Sequence, residues 1–142
     1  MARIFIAGII ATAIVSALMY VNVRMGFVPG FDMMAEIRAF DLRLGLPSTD
    51  RAVWFTHGIV GVVIYAVAYA VLQPILPGRG LVQGLFFGIL TWLTMMAAVM
   101  PLAGHPMFAR DLGIVFIGSA LVINLVYGGV LAATAAALDD TD

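Results

Sequence analysis

The first apolar stretch, Ile4 to Val23, reads IFIAGIIATAIVSALMYVNV and contains no Asp, Glu, Lys or Arg. An α-helix rises about 1.5 Å per residue and the hydrocarbon core of a bilayer is about 30 Å thick, so about 20 apolar residues cross it. Three further runs meet the same condition: Ala52 to Leu76, Leu81 to Leu102 and Leu112 to Leu138. They predict an all-α membrane protein, one membrane domain over residues 1–142 built as a bundle of four transmembrane helices. Met1, Ala2 and Arg3 ahead of an apolar run also fit the start of a secretory signal, but the run is span length and reads as a span.

Composition agrees. The chain is 63% hydrophobic and 11% charged, with a mean hydropathy of +1.10, which would leave too much apolar surface for water to tolerate. The first expected partner is therefore a lipid bilayer. Cysteine is absent, which removes disulfides, thiolate metal sites, cysteine nucleophiles and covalently attached haem. Lysine is absent too and the net charge is −1, so there is no basic surface for nucleic acid.

The connections between spans are unequal. Pro77-Gly78-Arg79-Gly80 is a tight turn, which makes spans two and three antiparallel neighbours. Residues 24–51 are too long for a turn, and here the pattern predicts an interfacial amphipathic helix over about 32–44. Asp32 is its N-cap, Met33, Ile37, Phe40 and Leu44 recur at helical spacing, and Gly45 and Pro47 end it. Asp32, Glu36, Arg38, Asp41 and Arg43 are expected on its wetter flanks. Five of the seven arginines, Arg24, Arg38, Arg43, Arg51 and Arg110, fall on the long-loop side. The positive-inside rule then puts that loop in the cytoplasm, with both termini on the opposite side. An offset of 76 aligns Arg3, Gly8 and Met19 with Arg79, Gly84 and Met95, the pattern a duplicated hairpin would leave and one that chance also produces in Gly- and Ala-rich spans.

Without a hydrophobic drive between helices in lipid, small residues should mark the contact faces. The candidates are Gly8, Thr12 and Ser16; Gly58, Gly61 and Ala68; Gly84 and Gly88; and Gly113, Ala120, Asn124 and Gly128. Polar groups gather at mid-depth. Among them Tyr65, Asn124 and Tyr127 are candidates for a cofactor or ligand pocket, for instance for a quinone or pigment; the alternative is hydrogen bonding between helices. The two histidines, His57 and His105, fall on the long-loop side with Met100 and Met107 close to His105 in sequence. Imidazole with thioether suits Cu(I) and matches axial ligands of b-type haem, so these four are the candidate metal or haem ligands. Equally, methionine fills apolar packing, and His57 can donate to Asp111, Glu36 or a carbonyl at the membrane surface. Asp32, Glu36, Asp41, His57, His105 and Asp111 are the only concentration of acid-base groups. The sidedness of charge explains that grouping, and no catalytic residue is assigned.

A first span bearing Gly and Thr and ending in Met, the Met33-Met34 pair, aromatic and His-Gly residues opening span two, the Pro-Gly turn and Met100-Pro101 closing span three form a layout. It resembles a group of small four-helix bacterial membrane proteins with no established activity, which implies the architecture and no function. The leading expectation is a non-catalytic accessory or assembly subunit of a larger inner-membrane, energy-transducing complex, with other membrane subunits or a second copy as partners. The alternatives are a haem-, copper- or hydrophobic-cofactor-binding protein using His57 and His105, and a small carrier for a neutral solute.

Overall fold

A computed structural model describes residues 1–139, which form five helices and no strand. These are α1 (Ala2–Met25), α2 (Met33–Arg43), α3 (Asp50–Leu72), α4 (Leu81–Ala103) and α5 (Gly113–Asp139). A 3₁₀ turn, Met107–Leu112, leads into α5. Four of them, α1, α3, α4 and α5 with its leading turn, are long and apolar enough to cross a membrane.

The helix ends follow local chemistry. α1 stops where Gly26 takes φ 68° and its N–H closes on the Asn22 carbonyl at 2.7 Å. Asp32 caps α2 by accepting from the Ala35 N–H at 3.1 Å, as its place in the sequence predicts. Thr49 caps α3 by accepting from Ala52. The expected run of span two to Leu76 is cut at Leu72, because Pro74 has no N–H to give and disfavours helix in the residue before it.

Backbone approaches set the order of the bundle. α4 and α5 cross closely at glycines: a Cβ built on Gly88 would lie 2.5 Å from the Asn124 carbonyl, and one on Gly128 would lie 2.7 Å from the Gly88 nitrogen. α1 lies between α5 and α3, with Gly8 against Ala66 and Thr12 against Gly61. Gly58 and Gly113, expected on contact faces, meet no other part of the chain within 4 Å of an added Cβ.

α3 and α4 are antiparallel, as the Pro-Gly turn predicts, but side chains rather than close backbones join them. Tyr69 and Phe87 rings stand 5.2 Å apart, Tyr65 and Phe87 6.4 Å. The Tyr69 hydroxyl donates to Gln83 Oε1 at 2.9 Å, and Gln83 Nε2 donates to the Gln73 carbonyl at 2.7 Å. Large aromatic residues prop these two helices apart, and the bundle is hollow beside them.

α2 departs from the expected arrangement of its charges. Asp41 is fully buried at 0% exposure and the Glu36 side chain is 14% exposed, whereas Leu42 and Leu44 are exposed. The ends of α3 and α4 offer α2 polar partners, which explains the inversion. Thr56 donates to both Asp41 oxygens at 3.0 and 3.2 Å, Arg38 donates to the Ser48 carbonyl and pairs with Asp50, and Arg43 lies against Gly104. The loop before α2 is held by Asn22, which accepts from the Val28 N–H at 2.7 Å and donates to the Phe31 carbonyl at 3.0 Å.

Candidate functional site

Two helices widen at the level of the hollow. α3 runs as π-helix over Ile59–Tyr65 and α4 over Met95–Val99. A π turn shifts the hydrogen-bond pattern to i→i+5 and rotates side chains relative to an α-helix, and such turns occur frequently at functional sites. In α3 the Gly61 carbonyl accepts the Tyr127 hydroxyl at 2.5 Å. Sequence reading missed both turns. The only local sign was Gly61 in the first; Met-Met-Ala-Ala-Val in the second reads as ordinary helix.

Between these turns, α1, α5 and the underside of α2 lies a cavity of about 140 Å³. Its inner end is polar, formed by Thr12, Tyr65, Asn124 and Tyr127. Its walls are apolar, with Val15, Val60, Val99 and Ile123 among them, and four methionines, Met19, Met33, Met95 and Met100, complete them. Its outer end carries Glu36, Thr56 and His57, beneath Ile37 and Phe40 of α2. All three residues singled out for a ligand pocket, Tyr65, Asn124 and Tyr127, therefore meet in one place, with Tyr65 and Tyr127 rings 5.5 Å apart.

At the inner end of the cavity some hydrogen-bonding capacity is unspent. Thr12 Oγ1 is buried with no partner among the described residues. Asn124 Nδ2 donates to the Ala120 carbonyl at 2.8 Å, leaving its Oδ1 without a bond among the described residues. The Tyr65 hydroxyl makes none among the described residues either. A buried polar atom without a partner is destabilising by about 1–3 kcal/mol, so polar groups here are either wet or meant for something else.

His57 does not reach Asp111 or Glu36; its Nε2 lies 2.9 Å from Ser16 Oγ. Ser16 gives its own hydrogen to the Thr12 carbonyl at 2.6 Å, so the imidazole must donate through Nε2. In the neutral ring Nδ1 is then an acceptor. The expected carboxylate partners belong instead to His105, whose Nε2 meets Glu36 Oε2 at 2.6 Å and whose Nδ1 meets Asp111 Oδ2 at 2.7 Å. Glu36 thus faces the cavity with one oxygen committed to His105.

Of the four candidate metal or haem ligands, the structure brings His57 and Met100 to the cavity. His105 stands behind Glu36 with both ring nitrogens engaged, and Met107 is exposed. A metal or haem taking His105 would first have to displace a carboxylate. No group of three or more His, Asp or Glu among the described residues is arranged to hold a metal ion. The turn bearing Asp111 is strained: Phe108 and Ala109 take φ 64° and 46°, values costly for residues with a Cβ. An edge-to-face contact of Phe108 with Trp92 at 5.9 Å and full burial of Ala109 hold the turn there.

The hydrogen bond to Asp111 raises the His105 pKa above its ordinary 6.5; burial opposes this and Glu36 adds to it. A pKa raised on folding gives stability that is complete below 6.5 and is lost as pH climbs through the raised folded value. The thermal midpoint of the protein in detergent is therefore expected to fall as pH rises from below 6.5 into the alkaline range. His105→Gln should flatten that slope, and an unchanged slope in the variant would refute the assignment to His105.

No curated protein and no solved structure matches the chain. One family model does, over residues 1–142. The chain belongs to DUF6789, a family of unknown function.

Proposed function

We propose that the protein binds a small, largely apolar molecule with hydrogen-bonding groups in the cavity beneath α2. The observation that carries the reading is the cavity itself, apolar in its walls, with Thr12 Oγ1 and Asn124 Oδ1 left without a partner among the described residues at its inner end and only partly committed polar groups, Glu36 and His57, at its outer end. A cavity close to 150 Å³ takes a single aromatic ring.

The test is thermal unfolding in detergent with and without p-xylene. Ligand that binds only the folded state raises the midpoint in proportion to the logarithm of its concentration over Kd. The wild type should show that rise, and Val60→Phe, which puts a ring into the cavity, should fold and lose it. Equal rises in both proteins would place the effect in the detergent or on the surface.

A second reading, an accessory or assembly subunit of a larger inner-membrane complex, draws on Gly58, Gly113 and Gly118, which leave room for an approaching helix. Co-purification of a stoichiometric partner in mild detergent, lost on Gly118→Leu, tests it. In either reading the arginine distribution supports a cytoplasmic long loop, and the Arg3–Asp139 pair supports both termini on the other side.

A further inference from the structure

We infer that the molecule held in the cavity is an uncharged aromatic ring with hydrogen-bond donors at opposite ends, a 1,4-diphenol in its simplest form. This rests on the reading that the cavity is a ligand site, and goes further by fixing the ligand's polarity and shape.

The first argument is the sign of the unspent hydrogen bonds. Asn124 Oδ1 at the inner end is an acceptor whose amide nitrogen is already committed to Ala120. At the outer end the second oxygen of Glu36 is an acceptor, and so is Nδ1 of the neutral His57 ring, because Ser16 forces the hydrogen onto Nε2. Thr12 and Tyr65 hydroxyls can act either way. The pure acceptors, Asn124 Oδ1 at the inner end and Glu36 and His57 at the outer end, can be satisfied only by hydrogens of the ligand, whereas the two hydroxyls adapt to either sense. A molecule with acceptors only, such as a diketone or diether, would leave Asn124 and Glu36 facing its lone pairs.

Size is the second argument: a cavity of about 140 Å³ takes one aromatic ring with small opposed substituents rather than a longer molecule. The third is the wall between the ends. Four methionine side chains and the Phe40 ring line it, and thioether sulfur favours aromatic partners. Charge gives the fourth: Glu36 is already paired with His105, so the site offers neither an unpaired anion for a cation nor any cation for an anion.

The experiment measures binding of three molecules of one shape to the full chain in detergent, by titration calorimetry: 1,4-dihydroxybenzene with two donors, 1,4-dimethoxybenzene with acceptors only, and p-xylene with neither. Each is titrated against wild type, Thr12→Val and Asn124→Leu. Thr12→Val is nearly isosteric and removes a hydroxyl that meets no hydrogen-bond geometry among the described residues, so it should fold. The expected result is saturable binding of the diphenol to wild type, weakened about tenfold or more in each variant. p-Xylene affinity should hold or improve in the same variants, and the dimethoxy compound should be unaffected by Asn124→Leu. If all three bind wild type and the variants weaken none selectively, the cavity is a ligand site and the donor assignment is wrong. Stronger binding of the dimethoxy compound than of the diphenol reverses the inferred polarity. If none binds saturably, the ligand-site reading falls with it.

Discussion

Gly128→Val is expected to prevent the bundle from folding, or to lower its stability by about 3 kcal/mol or more. A Cβ at this position would press on the Gly84 carbonyl and come within 2.7 Å of the Gly88 nitrogen. Both obstacles are backbone, so no rotamer change relieves them; α4 must move away from α5. In lipid, where close packing rather than water expulsion holds helices together, that separation forfeits the contact itself. Thermal unfolding of the purified protein, with yield from the membrane as a second readout, checks the result. Gly118→Val on the same helix is the control, since nothing lies within 4 Å of its added Cβ. Similar losses in both would show that the effect is helix propensity and not the crossing.

The second large effect is expected at the junction of α2 with α3. Thr56→Val removes the hydroxyl that donates to both oxygens of Asp41, a side chain with no exposed surface. A buried acidic group stripped of its donor should reduce stability by about 3 kcal/mol. The double variant Thr56→Val with Asp41→Leu should recover much of that loss, because an apolar pair of similar size needs no partner. Denaturant or thermal midpoints of the single and double variants give the coupling directly. If Thr56→Val alone is neutral, the Asp41 contact does not hold α2 in place, and the roof of the cavity is less firmly fixed than its geometry implies.

The spans, the capped helix between them and the glycine crossing of α4 and α5 were legible in the sequence because each rests on a local or periodic signal. Run length read out the spans, Asp32 and Gly45 bracketed α2, and Gly84 with Gly88 marked the close face. The errors came where the deciding interaction joins distant residues. Asp41 reads as a wet flank of α2 until Thr56 is folded beneath it, and the carboxylates expected for His57 went to His105 because the strained turn at Phe108 and Ala109 swings Asp111 toward it. Span two was read past Pro74, a local signal overlooked within an apolar run.

The candidate site was legible in its residue types but not in its form. Tyr65, Asn124 and Tyr127 stand out at mid-depth as polar groups in apolar helices. That they share one cavity with His57 and Met100 follows from how the helices meet, beside two π turns that have no periodicity a sequence reveals. Unspent capacity, the feature that separates a binding site from a network of interhelical bonds, appears only when every donor and acceptor can be assigned.

The most direct measurement is methyl-detected NMR of the protein in micelles with bound p-xylene, reading cross-relaxation from the ligand's methyl groups. Contacts are expected with Val60, Val99 and Ile123, which line the cavity, and none of comparable strength with Ile114 and Val122, which are exposed on the outside of α5. Contacts confined to Ile114, Val122 and other outward methyl groups would contradict binding in the cavity.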